Sequence, residues 1–392
     1  MAAVRHPTES TPADHATMVG CAASALALTW LIFTRLTEGV GWFGFLLVAY
    51  LAFLALFGIV TADRLGLTVA TDRVATVAIS SGALVLAAPL VWLIGYIVVK
   101  GLPTLRLDFF VDDQRAIGPT DPATEGGGSH AIVGTLQQVA LALTLTVPLS
   151  LATAVFLNET RSRLRRPVRI FVDAMSGLPS IVTGLFIFAV LVVPFSGTSG
   201  PLGWEIFNFN GFMASLALAM IMLPTVTRTV EVVLRLVPDG LREASLAMGA
   251  SRARTVWSVV LPTARSGLTT AIVLGVARAV GETAPLLFTA FGYDLMNANP
   301  FDRPQESLPL FVYRFIRQPD AASRARGFTG ALVLLIVVLA LFLTARFAAR
   351  DRSAGGRAAR RRAVRDTRIG PEAAPPGPPA PGTAAVPAAP EA

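Results

Sequence analysis

The chain has 392 residues, 53% of them hydrophobic and only 15% charged, with a formal net charge of +8 and a mean hydropathy of +0.62. That balance excludes a pair of ordinary soluble domains, and because the arginines follow the ends of apolar runs it points to an integral membrane protein and away from a nucleic-acid binder. The lone Cys21 cannot form an intramolecular disulfide.

A membrane crossing needs about 20 apolar residues. The sequence offers eight such spans, near 17–34, 40–61, 75–99, 131–157, 170–193, 211–234, 268–291 and 327–347. The first could be read as a signal peptide, but its flank carries little positive charge and a second apolar run follows at once, so a retained hairpin is expected. Within that hairpin Trp30, Trp42, Phe43 and Tyr50 are of the type that faces lipid or anchors at the interface. The domain plan is a two-span N-terminal region over 1–74, a six-span core over 75–347, and a tail over 348–392.

Arginine sets the orientation. Arg161, Arg163, Arg165, Arg166 and Arg169 lie between the fourth and fifth spans; Arg235, Arg242, Arg252, Arg254 and Arg265 lie between the sixth and seventh; a further run follows the eighth. The positive-inside rule places all three in the cytoplasm, with both termini. The loop 292–326 is the exception, with Arg303, Arg314, Arg317, Arg324 and Arg326. The tail, arginine-rich to Arg368 and then rich in proline and alanine, is expected to be disordered, its arginines drawn to anionic lipid.

Chemistry is sparse. The only lysine, Lys100, is followed by Gly101 rather than forming a GK[ST] loop, and no CxxC, HExxH or histidine cluster occurs. Neither a nucleotide, a metal nor any other cofactor is expected. The loop FSGTSGPLG carries Ser196 and Ser199 without a nearby histidine and reads as a turn.

The informative stretch is 236–290. Pro238, Asp239 and Gly240 form a turn that starts one short helix, Gly249 suits the left-handed position that ends it, and Ser251 can cap the next. In the seventh span Arg278 and Glu282 lie one helical turn apart, and ionisable groups at that depth mark a functional site by default. The plainer alternatives are an amphipathic loop resting on the bilayer and a buried ion pair that only fixes helix packing.

Two further features narrow the choice. EASLAMGASRARTVWSVVLP resembles the coupling motif of ABC-importer permeases, E-A-A, three residues, G, nine residues, I, one residue, L-P. Glu243, Ala244, Gly249, Leu261 and Pro262 match it, while Ser245 replaces the third alanine and Val259 the isoleucine. Small Ala244 and Ser245 would allow close approach, and Pro262 would break the second helix before the next span. RAVGETAPLLFTA, GLPSIVTGLF and TVTRTVEVVLRLVPDGLREASLAMGA together resemble the PstA-type permease subunits of phosphate-specific ABC importers, over roughly 80–347.

The resemblance implies an all-α type I permease core of six spans, here extended by the N-terminal hairpin, in a bacterial cell membrane. It further implies a second homologous permease subunit, two cytoplasmic ATPase subunits and an extracytoplasmic phosphate-binding protein as partners, besides the lipid bilayer. Glu243, Ala244, Ser245, Gly249, Leu261 and Pro262 would couple to the ATPase. Arg228, Arg278 and Glu282 would line the anion path, with Glu282 steadying Arg278 and accepting a hydrogen bond from protonated phosphate. The alternatives left open are another tetrahedral oxyanion, molybdate, tungstate or sulfate, and a non-transporting sensor or scaffold on a permease fold.

Overall fold

The computed structural model describes residues 12–35, 41–195 and 207–368. The Ser196 and Ser199 turn and the proline-rich end of the tail lie outside them. Among the described residues all regular structure is helical apart from one isolated bridge, Phe291 with Gln305. Among these described residues seven helices are long and apolar enough to cross a membrane, or eight if one bent pair counts as a crossing.

The chain divides into two compact units, 1–96 and 97–392, so the division falls inside the third helix rather than before it. The first unit contains α1 (Pro12–Arg35), α2 (Trp42–Leu65) and most of α3 (Leu67–Gly101). Its ties are mixed: Cys21, Ala25, Ala49 and Phe57 are buried and Phe33 meets Phe45 edge to face, while Arg73 of α3 pairs with Asp14 of α1 at 2.7 Å and Tyr50 of α2 meets Ser81 of α3 hydroxyl to hydroxyl. Trp30, Trp42 and Phe43 are exposed, as lipid-facing residues are, whereas Tyr50 is spent on the α2–α3 contact.

In the second unit α7 (Gly211–Arg235) is the central helix, half buried along its length, between α4 (Ser129–Glu159) and α9 (Arg252–Val280). The facing residues are small: Ala142 of α4, Ala214 and Ala219 of α7, and Ala271 and Ala279 of α9 are all buried. Small side chains let apolar helices approach closely where lipid supplies no hydrophobic drive. A Cβ on Gly275 would lie 2.6 Å from Val226, and one on Gly267 2.4 Å from Val233. These two contacts fix the antiparallel register of α9 on α7.

Three expectations are corrected. The fifth crossing is not one helix: α5 (Arg165–Ser176) and α6 (Ser180–Phe195) meet at 109°. Pro179 has no N–H, and the residue before a proline is driven out of the helical region, so Gly177-Leu178-Pro179 breaks the chain there. The seventh crossing ends at Val280 and begins at Arg252, without a break at Pro262. A π turn, Val256–Val260, precedes that proline; the wider hydrogen-bond pattern falls where the missing donor would matter, and the Thr263 hydroxyl takes the Val259 carbonyl at 2.6 Å. Lastly, α11 (Ala321–Arg368) runs on through the start of the expected disordered tail, because alanine and arginine favour helix and the first proline beyond it is Pro371.

Candidate functional site

The coupling segment stands where α7 ends. Short α8 (Asp239–Ala247) buries none of its residues, and Glu243 and Ala244 are exposed together with Leu241, Leu246 and Met248. Its base is fixed by Arg242, which donates to the Leu234 carbonyl at 2.8 Å and the Val237 carbonyl at 2.6 Å and pairs with Glu159 at 3.1 Å. A cation on the last carbonyls of α7 also meets the negative end of that helix.

Gly249 closes α8 at φ +83°. Its N–H donates to Leu246 and that of Ala250 to Ser245, at 2.9 and 3.2 Å. This pair of bonds is the Schellman arrangement. Nothing lies within 4 Å of where a Cβ on Gly249 would be, so backbone conformation and not space demands glycine. Ser251 then accepts from the Arg254 N–H, as an N-cap should, and Ser245 and Thr255 bond hydroxyl to hydroxyl at 2.9 Å. Leu261 is buried against α7, while Pro262 is exposed.

The three path residues are arranged differently from the expectation. Arg278 is exposed on α9 and makes no ion pair with a described residue; Glu282 lies beyond the helix end and does not meet it. Gly281 stops α9, so the one-turn spacing that would stack the two side chains is lost. The segment after it folds into short turns, and Gly184 of α6 packs so tightly there that a Cβ would stand 2.5 Å from the Pro285 Cα.

Arg228 is held by carboxylates. It bonds Glu231 at 2.8 Å and pairs with Asp173 of α5. From the glycine register Arg278 lies about 7 Å further from the coupling segment than Arg228 along the α7–α9 pair, at about 1.5 Å per residue.

Sequence reasoning missed the hub of this region. Glu231 is 2% exposed and also pairs with Arg235 at 2.5 Å and with Arg169 of α5. Its signal was legible as spacing: Arg228, Glu231 and Arg235 share one face of α7 at three and four residues.

At the other end of α7 polar groups are buried. Asn210 caps the helix by accepting from the Met213 N–H. The Gln305 amide donates to Gln137 at 2.6 Å and to the Asn297 carbonyl at 3.0 Å. Glu306, fully buried, pairs with Arg314 of α10 (Leu308–Ile316), which also bonds Asp294 at 3.0 Å. Burial pushes the Glu306 carboxyl up to about 7 despite that arginine. Arg326, 2% exposed, donates to the carbonyls of Asp121 and Pro122 at 2.9 Å, Glu125 at 3.1 Å and Gly118 at 3.4 Å.

Comparison with known proteins agrees with this geometry. Residues 146–353 match the family described as "Binding-protein-dependent transport system inner membrane component". The chain is 37% identical over 291 residues to the phosphate transport system permease protein PstA of Mycobacterium leprae, covering 73% of this chain and 92% of that protein. It is 38% identical over 276 residues to PstA 1 of Mycobacterium tuberculosis strain CDC 1551, covering 70% and 87%. A crystal structure of a bacterial alginate ABC transporter, in complex with an alginate-bound periplasmic protein, has a chain that superposes with a TM-score of 0.53 at 15% identity, covering 74% of this chain and 98% of that one. At that identity the likeness is one of fold.

Proposed function

The chain belongs to the PstA family of phosphate transport permeases, and from that premise we propose how its parts divide the work of phosphate import. It is the membrane-spanning permease subunit of an ATP-driven ABC importer of inorganic phosphate, and its partners include an ATPase and a substrate-binding protein. In the proposed arrangement the exposed face of α8 around Glu243 and Ala244 docks on one of two cytoplasmic ATPase subunits, which carry all ATP hydrolysis. A second homologous permease pairs with this chain, and an extracytoplasmic protein delivers phosphate from the far side of a bacterial cell membrane. Both termini are cytoplasmic in this reading.

One observation carries it: Arg252–Val280 is a single helix that starts beside the docking segment and carries Arg278 in its last turn. A displacement of α8 is therefore delivered along a rod to the free guanidinium. Arginine suits an anion path because it stays charged and presents a planar donor fork to phosphate oxygens. Arg278 offers that fork unpaired. Arg228, nearer the inner end, exchanges its carboxylate partners for the passing anion, and Glu282 accepts from the hydroxyl of protonated phosphate, which sulfate lacks.

The test is uptake of radiolabelled phosphate by vesicles holding the assembled transporter, with ATP hydrolysis measured in parallel. Arg278→Gln is expected to abolish uptake while the complex still hydrolyses ATP, and Glu243→Lys to lose both uptake and stimulated hydrolysis. Normal transport by Arg278→Gln overturns the path assignment, and normal coupling by Glu243→Lys overturns the docking one.

A further inference from the structure

A second arginine-lined place lies beside the coupling segment and has no part in the path just described. A cleft of about 250 Å³ opens between the end of α4, the start of α5, α8 and the first turn of α9, with Glu159, Arg161, Arg165, Arg242, Arg252 and Thr255 in its walls. Arg242 is committed to Glu159, to Asp239 at 3.0 Å and to two carbonyls. Arg161, Arg165 and Arg252 make no ion pair or side-chain hydrogen bond with a described residue.

We infer that this cleft is a binding site for a phosphate group, held by Arg161, Arg165 and Arg252. Four guanidinium groups against one wall carboxylate leave a net positive charge that an anion neutralises, and arginine forks match the oxygens of a phosphate group. The volume holds such a group with several waters, each taking about 30 Å³. Arg161 and Arg252 are exposed, yet with Arg165 and the committed Arg242 they border one cleft from three chain segments. A bound anion would bridge the α4–α5 corner to the start of the transmission helix, stiffening the coupling segment.

The same chemistry is offered by inorganic phosphate and by the headgroup of an anionic lipid, and the cleft's position on the inner side rests on the function proposed above. Binding is therefore measured on the full-length chain alone, without transport. Inorganic phosphate is titrated calorimetrically into the chain in zwitterionic nanodiscs, with sulfate in parallel; phosphatidylglycerol retention is counted by native mass spectrometry. The variants are Arg161→Gln with Arg252→Gln, each of the two singly, and Arg278→Gln.

The expected result is that one probe binds the wild type and that the double variant weakens it at least tenfold, each single variant less, and Arg278→Gln by less than twofold. Loss of the phosphate signal identifies the free ion as the occupant; loss of lipid retention identifies the headgroup. If neither probe binds the wild type, or if binding follows Arg278 and ignores the single variants, there is no site in the cleft. None of these outcomes depends on whether uptake survives.

Discussion

The two ends of α7 solve the same problem, polar groups at a helix terminus, with different balances of backbone and charged partners. At the end remote from α8, Arg326 is spent on four carbonyls and Glu306 on Arg314, while Asn210 caps the helix. At the end beside α8, Arg242 takes two carbonyls, but the hub is a cluster of charges: Glu231 holds Arg169, Arg228 and Arg235, the last of these about half exposed. Carbonyl partners cannot be exchanged without unfolding a loop, whereas guanidinium and carboxylate groups can trade partners. The end held by Arg326 is built to stay, and the Glu231 cluster can rearrange.

The largest effect that would break this contrast is at Arg326. Arg326→Met removes every bond to the carbonyls of residues 118–125 and is expected to destabilise the purified chain by about 3 kcal/mol, seen as a lower melting temperature and as proteolysis within residues 112–128. Unchanged melting would mean that the outer loops hold without it.

Next comes acidity. The Glu306 carboxyl rises from its usual 4.5 to about 7 in the folded chain, so the folded state holds its proton more tightly. That contribution is complete below about pH 4.5 and is lost as pH rises toward 7. It amounts to about 3 kcal/mol. Melting of the wild type is expected to fall between pH 5 and 7.5, and Glu306→Gln to flatten the profile. An identical slope in the variant would assign the dependence elsewhere.

At the inner end Glu231→Gln leaves three guanidinium groups without their shared carboxylate, at an expected cost of about 2 kcal/mol, with slower uptake. Glu231→Asp is expected to restore part of both. Smaller still is Gly249→Val, which strains a positive φ by about 1 kcal/mol; melting barely shifts while ATP hydrolysis loses its coupling to uptake. Removal of residues 1–70 is expected to leave phosphate uptake measurable, because α1 and α2 carry none of the residues proposed for the anion path or for ATPase docking.

What the sequence made legible was local. The all-helical class, the Gly249 turn and the Ser251 cap each follow from a residue type at one position, and each is present in the structure. Arg278 with Glu282 was inferred from a spacing that holds only while the helix lasts, and Gly281 ends it. Pro262 was read as a breaker because a preceding π turn leaves no mark in composition. The basic loop 292–326 defied the charge rule because its arginines have partners that composition does not reveal: Arg314 belongs to Glu306 and Asp294 of the same loop, and Arg326 to carbonyls some two hundred residues earlier. Such arginines are structural and say little about topology.

The π turn in α9 has a consequence for how this chain tolerates change. By accommodating one residue more than an α-helical turn, it sets the rotational phase of the helix before it independently of the phase after it. Upstream, Arg252 and Thr255 face the inner cleft; downstream, Leu261, Ala264 and Ala271 face α7. Removing a single residue between 256 and 260 would swing one set relative to the other by about 100°. The proposed docking segment and the proposed anion path are therefore joined through a turn whose length in residues, more than its composition, is fixed.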